Sequence, residues 1–333
     1  AVYLIQQLVP TLTHYLMATE SMECLLSLAP FACQVPEYFK GRPSTSDSEA
    51  VLLDLFKAVV KVITYPAQYD FDSPGEEEEL FPEVRQKFMS AFDQSLALLG
   101  PMATEVMMSK MQCSFDTAAD VKQQELGVYF CFRYCDAHRG YSFSSIIGGQ
   151  QKVTPFGQIL TNLFNRQFTA NLPFLFMSFL DCAGRIAQTP FFELFPSAYE
   201  SCLMTVVNGF QTVSTLDDPD LPKKTFSCFN KLVKSQKAIP FAGQLMSACS
   251  PIAADLAEEQ PDGKLDFYEA IGYLSGLVKD MSIMSFFESS FGNCVNLSAQ
   301  QNIIKACAAY LKGLIESNDA KQSCVDVGRI AKF

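Results

Sequence analysis

The chain has 333 residues, 49% hydrophobic and 18% charged, which excludes a disordered chain, and its 17 Gly and 17 Pro exclude collagen-like and linker-like classes. The formal charge is −11, from 25 basic and 36 acidic residues. That balance excludes a generic phosphate-coating protein, because non-specific nucleic-acid affinity comes from Lys and Arg neutralising phosphates. A basic protein partner, or RNA met through a local basic face, stays open.

Apolar residues recur at spacings of three and four nearly throughout, so the pattern predicts helices. In chain order these are 2–16, 20–34, 49–64, 83–99, 102–112, 117–137, 155–166, 171–188, 191–208, 221–236, 240–257, 264–279, 282–291, 298–317 and 321–331. Each helix with its turn takes about 22 residues, so a pair takes about 44, close to the HEAT and armadillo period. Pro10, Pro30, Pro101, Pro173, Pro196 and Pro240 fall near predicted helix starts or early turns, where a missing N–H costs little. The segments 40–49 and 70–79 are polar, but the helical pattern resumes on both sides of each. The expectation is an all-α protein: one continuous α-solenoid of HEAT-like antiparallel helix pairs over residues 1–333.

Twelve cysteines are scattered without a CxxC, mostly inside apolar helical runs. Buried free thiols of a reducing compartment are expected, since disulfide scaffolds are short and secreted. No secretory signal is visible at the start. The densest apolar stretch, Leu172 to Leu180, is too short to span a bilayer, so no membrane insertion is expected.

Five constellations bear on chemistry. Glu76, Glu77, Glu78 and Glu79 form an acidic run, read either as a solvated loop before the helix near Glu83 or as a contact for a basic protein partner. Cys131, Cys135 and His138 share one helical face with zinc-ligand chemistry, but a structural zinc needs a fourth ligand and none is near. Gly148-Gly149 lies in a polar loop with no preceding strand and does not read as a phosphate cradle. With two His, no G-x-S-x-G and no P-loop, an enzyme is not expected. Glu258 to Glu269 partly fits a calcium-loop template at Asp262, Gly263, Asp266 and Glu269. Its first and third ligand positions hold Glu258 and Gln260, so a helix entry is the plainer reading and no metal or cofactor is expected there.

The basic counterpart is the helix from Leu221 to Lys237. At 100° per residue, Lys223, Lys224, Lys231, Lys234 and Lys237 fall within an arc of about 140°, opposite Phe226, Phe229, Leu232 and Val233. This is either a solvated face or a strip of point charges for an RNA backbone.

Several segments together resemble the exportin-t family of karyopherins. The strongest is Tyr65 to Pro101, with a tyrosine-containing approach, a DFD turn, an acidic run and an F-x-E-x-R helix. Leu172–Phe192, ending in paired Phe, the lysine helix, and Leu265–Leu274 with its Y-E-x-x-G-x-L pattern are similar as well. The resemblance implies a HEAT-like solenoid without catalytic residues or cofactors. It would wrap tRNA together with Ran-GTP, engage nuclear pore proteins, and shuttle between nucleus and cytoplasm. It also implies a central segment of a longer receptor, since the family's N-terminal Ran-binding helices have no match here. A karyopherin for protein cargo and a HEAT scaffold without Ran dependence remain as alternatives.

Overall fold

A computed structural model describes residues 2–71, 75–137, 143–147, 150–213 and 220–242, together with 244–245, 248–249, 266–267, 269–271 and 273–274. The chain divides into two compact units, Ala1–Ser142 and Phe143–Phe333. The described residues are predominantly helical, with twelve α-helices and one two-stranded sheet among them.

Unit 1 holds α1 (Val2–Ala18), α2 (Met22–Phe39), α3 (Ser46–Val62), α4 (Glu76–Glu79), α5 (Phe81–Leu99), α6 (Pro101–Met111) and α7 (Val121–Ala137). Thr45 and Ser48 open α3 with a reciprocal capping box, each satisfying the other's backbone N–H. Pro82 and Pro101 sit in the first turns of α5 and α6, where the absent N–H has no intrahelical partner to lose. Gly100, at φ 53°, lies between these two helices in the left-handed region that only glycine adopts freely. Against the expectation that prolines fall near helix starts or early turns, Pro10 lies inside α1 and Pro30 inside α2, which also contains Pro36. The buried face of α2 (Leu25, Ala29, Ala32 and Val35) carries the helix through them, because tertiary packing outweighs local propensity.

With the single turn α4 set aside, helices of unit 1 pack on second neighbours, α1 on α3, α2 on α5 and α3 on α6, and sequential helices such as α3 and α5 or α6 and α7 touch as well. Phe92 lies between Phe56 of α3 and Phe130 of α7, with ring centroids 5.1 and 5.3 Å away. Side chains bridge α5 to α7 at three successive turns. Arg85 meets Glu125, Met89 meets Tyr129 and Asp93 meets Arg133, and each pair is 40 residues apart. A constant offset means the two helices run in the same direction.

Unit 2 begins with a β-hairpin that the sequence reading missed. Strand β1 (Ser144–Ile147) pairs antiparallel with β2 (Gln150–Val153), in a register from Ser144↔Val153 to Ile147↔Gln150. Residues 144–147 and 150–153 are therefore strands, which corrects the expectation of a polar loop with no preceding strand. Phe143 anchors the hairpin: its carbonyl accepts from the Thr154 N–H, and its ring stacks on Phe156 and meets Phe191 edge-on. The Thr154 hydroxyl then accepts from Gly157 N to cap α8 (Pro155–Asn165).

Next come α9 (Pro173–Ile186), the single turn α10 (Phe191–Leu194), α11 (Pro196–Val213) and α12 (Asp220–Lys234). The predicted helix 191–208 is thus two helices. Pro196 has no N–H to continue the first and starts the second. With the single turn α10 set aside, second neighbours pack again, α8 on α11 and α9 on α12, and the sequential pair α11 and α12 packs as well. The core is aromatic: Phe164, Phe176, Phe179, Phe191, Phe192, Tyr199 and Phe229 are fully buried. The Tyr199 hydroxyl donates to the Leu232 carbonyl at 2.9 Å, and burial raises its pKa. The predicted helices 282–291, 298–317 and 321–331, and most of 240–257, lie outside the described residues.

Candidate functional site

On α12 the sequence places apolar and basic residues on opposite faces, and the structure keeps that division. Leu221, Phe226, Phe229, Leu232 and Val233 are buried, whereas Lys223, Lys231 and Lys234 are exposed and Lys224 is half-exposed. Two of these lysines carry an acidic partner. The Lys224 ammonium lies 2.9 Å from Asp181 of α9, and that of Lys234 lies 2.8 Å from Glu269. The Lys231 stem runs over Gly184 of α9, whose missing side chain leaves room for it. Burial pushes the Cys228 thiol below it up to about 12, against the opposing pull of Lys231. The strip is therefore not a row of five free charges. Helix α12 ends at Lys234, and the chain turns into a 3₁₀ segment, Gln236–Phe241, containing Pro240. Lys237 thus leaves the helical arc on which its predicted position rested, and its side chain lies outside the described residues.

The two acids of the calcium-like template that are described serve α12. Asn230, a buried residue, donates its amide to Asp266 at 3.2 Å and to Glu269 at 2.8 Å. Residues 266–267, 269–271 and 273–274 are helical, as a helix entry requires, while 258–265 lie outside the described residues.

The acidic run is a helical turn rather than a loop tip. Glu76 and Glu79 of α4 are exposed, and the side chains of Glu77 and Glu78 lie outside the described residues. Cys131 and Cys135 are buried in α7, and burial raises the Cys131 pKa, which suits a core thiol rather than a ligand. His138 lies outside the described residues. Among the described residues no three His, Cys, Asp or Glu side chains form a cluster. Their cysteines are free, with Cys131, Cys135, Cys182, Cys202, Cys228 and Cys249 buried and Cys24 exposed. No helix among them is long and apolar enough to cross a membrane.

Two features of unit 1 went unread in the sequence. The first is Arg85, which forks onto both Glu125 oxygens at 2.9 Å. Its guanidinium lies 3.8 Å from the Tyr129 ring centroid and 5.3 Å from that of Tyr65. Burial alone would lower the Arg85 pKa, but the Glu125 charge and hydrogen bonds outweigh it and the pKa rises. Burial, then the Glu125 charge, raises the pKa of Tyr65. Tyr65 also packs against Tyr69, Phe71 and Phe81, closing the connection from α3 to α5. The second is a cavity of about 360 Å³ whose walls include Lys57, Lys61 and Lys110, with Glu20 as the acidic lining residue. Lys57 and Lys61 stand four apart on α3, a spacing the sequence displays. The approach of Lys110 depends on how α6 folds back.

No protein-family model matches the chain, and no curated protein matches it either.

Proposed function

We propose that the chain is part of a nuclear export receptor of the karyopherin kind, an α-solenoid that binds tRNA cooperatively with Ran-GTP and shuttles between nucleus and cytoplasm. The observation that carries this reading is the offset of 40 residues at three successive turns of α5 and α7. With second-neighbour packing inside each unit, it is the local geometry expected of stacked helix pairs, which build long concave surfaces. The resemblance of Tyr65–Pro101 and three further segments to exportin-t selects tRNA as the cargo. In this reading the protein has no catalytic residues, and its partners are tRNA, Ran-GTP and nuclear pore proteins. Lys223 and Lys231, the exposed α12 lysines without a described acidic partner, meet RNA phosphates as point charges. The exposed acids of α4 face a basic protein surface.

The test is a binding assay of the full chain with labelled tRNA, with Ran-GTP and with Ran-GDP. Retention of tRNA only when Ran-GTP is present is the expected result. Absence of a ternary complex would overturn the reading. One observation favours a second reading, a HEAT scaffold without Ran dependence: Asp181 and Glu269 neutralise Lys224 and Lys234, leaving a face much like any solvated one. That scaffold would bind neither tRNA nor Ran in the same assay.

A further inference from the structure

The unit 1 cavity is basic in an acidic protein. Three lysines line it against the single carboxylate of Glu20, while the chain as a whole carries −11. The lysines differ in how far they are already used. Lys61 donates to the Met17 and Thr19 carbonyls at 2.9 and 3.5 Å, which ties the end of α1 to α3. Lys110 donates to Gln123 Oε1 at 3.3 Å. Lys57 is exposed and has no partner among the described residues. An ammonium offers three N–H donors, so several remain free to point at one anion. Glu20 is itself engaged by the Gln68 amide at 3.4 Å.

The lining also has an apolar part, Met22, Leu25, Val60 and Pro66. Lys122 donates to the carbonyl of the lining residue Ala67 and ties that segment down. A volume of about 360 Å³ exceeds the need of a bare anion and matches the lower range of small-molecule sites, about 300–1,000 Å³. A phosphate monoester carries about −1.5 to −2 at neutral pH. That charge balances three lysines and one glutamate, where a carboxylate would leave a positive excess.

We propose that this cavity binds an organic phosphate of mononucleotide size, its phosphate held by Lys57, Lys61 and Lys110 and its organic part against Met22, Leu25 and Pro66. Two sources share this chemistry: a free mononucleotide, and the 5′-phosphorylated end of an RNA strand. Only the second would extend the transport reading.

The experiment is calorimetric titration of the full chain, without Ran, using AMP, adenosine, and an RNA oligonucleotide with and without its 5′-phosphate. A phosphorylated probe is expected to bind at least tenfold more tightly than its dephosphorylated counterpart, and more weakly as salt rises. Lys57→Glu is expected to reduce that affinity at least tenfold with the thermal melt unchanged, because Lys57 is exposed. Lys152→Gln on β2, an exposed lysine outside the cavity lining, should leave it unchanged. Oligonucleotide binding tighter than AMP and lost on dephosphorylation assigns the site to an RNA end, and AMP binding as tightly as the oligonucleotide assigns it to a free nucleotide. Failure of both phosphorylated probes, indifference to the phosphate, or indifference to Lys57→Glu overturns the proposal. Because Ran and tRNA are absent, none of these outcomes depends on the export reading, and failure of the ternary complex would leave them intact.

Discussion

The α5–α7 interface of unit 1 and the α9–α12 interface of unit 2 are both crossed by an ion pair between residues 40 or more apart, yet the two pairs have opposite physical characters. Arg85 and Glu125 are 11% and 2% exposed, bidentate, and flanked by the rings of Tyr129 and Tyr65. Lys224 and Asp181 are 41% and 47% exposed and joined by one contact. Position along the chain does not distinguish them; burial does. A buried pair fixes register, since either ion left alone is stranded in a poor solvent. An exposed pair is interchangeable with water.

Breaking the buried pair should therefore have the largest effect. Glu125→Ala leaves the Arg85 guanidinium uncompensated and is expected to lower stability by about 3–5 kcal/mol, read from denaturant melts. The double variant Arg85→Met, Glu125→Leu removes both charges and is expected to recover most of that loss. No recovery would mean that geometry around Tyr65 and Tyr129, rather than charge, holds α5 to α7.

A glycine in each unit sharpens the contrast. A Cβ on Gly127 of α7 would stand 2.7 Å from Ser114 N and 2.8 Å from Lys110 O, both backbone atoms that cannot move aside. Gly127→Ala is expected to cost about 1–3 kcal/mol despite the better helix propensity of alanine. A Cβ on Gly184 of α9 would meet the Lys231 stem at 3.3 Å, and a lysine stem can shift. Gly184→Ala is expected to leave stability unchanged or raise it by up to about 1 kcal/mol. Equal costs at the two sites would show that the unit 2 interface is as rigid as that of unit 1.

Much of this was legible in the sequence because it is local. The apolar spacing gives helix positions, and the α12 arc separates Phe226 and Phe229 from Lys223 and Lys231 as the angles require. Some local signals mislead. Gly148-Gly149 between two short runs is a two-residue hairpin signal, but Ser144–Ile147 and Gln150–Val153 lack the apolar alternation that flags a strand. Pro30 reads as a helix start or early turn because the packing that carries α2 through it is not in its neighbours. The pairing of Arg85 with Glu125, and the meeting of Lys57 and Lys61 with Lys110, depend on helices distant in sequence, which periodicity cannot register. Asp181 and Glu269 were likewise invisible as partners of the α12 lysines.

Those two acids set the smallest predicted effect. Lys224 and Asp181 are both near half-exposed, so their Coulomb energy is damped by water and offset by the entropy of holding a lysine in place. A double-mutant cycle with Lys224→Gln and Asp181→Asn should give a coupling of about 0.2–1 kcal/mol, falling as salt rises. On the export reading proposed above, the same pairing ranks the α12 lysines as RNA contacts. Lys224 would have to give up Asp181 to meet a phosphate, whereas exposed Lys223 has no described partner to leave. In tRNA binding with Ran-GTP, Lys223→Gln should flatten the salt dependence by about 0.7–0.9 in slope, the value for one lost phosphate contact. Lys224→Gln should change it less, and Asp181→Asn should strengthen binding by freeing Lys224. Equal effects of Lys223→Gln and Lys224→Gln would mean that the α9–α12 pair opens in the complex. No effect from any of the three would place the RNA surface away from α12.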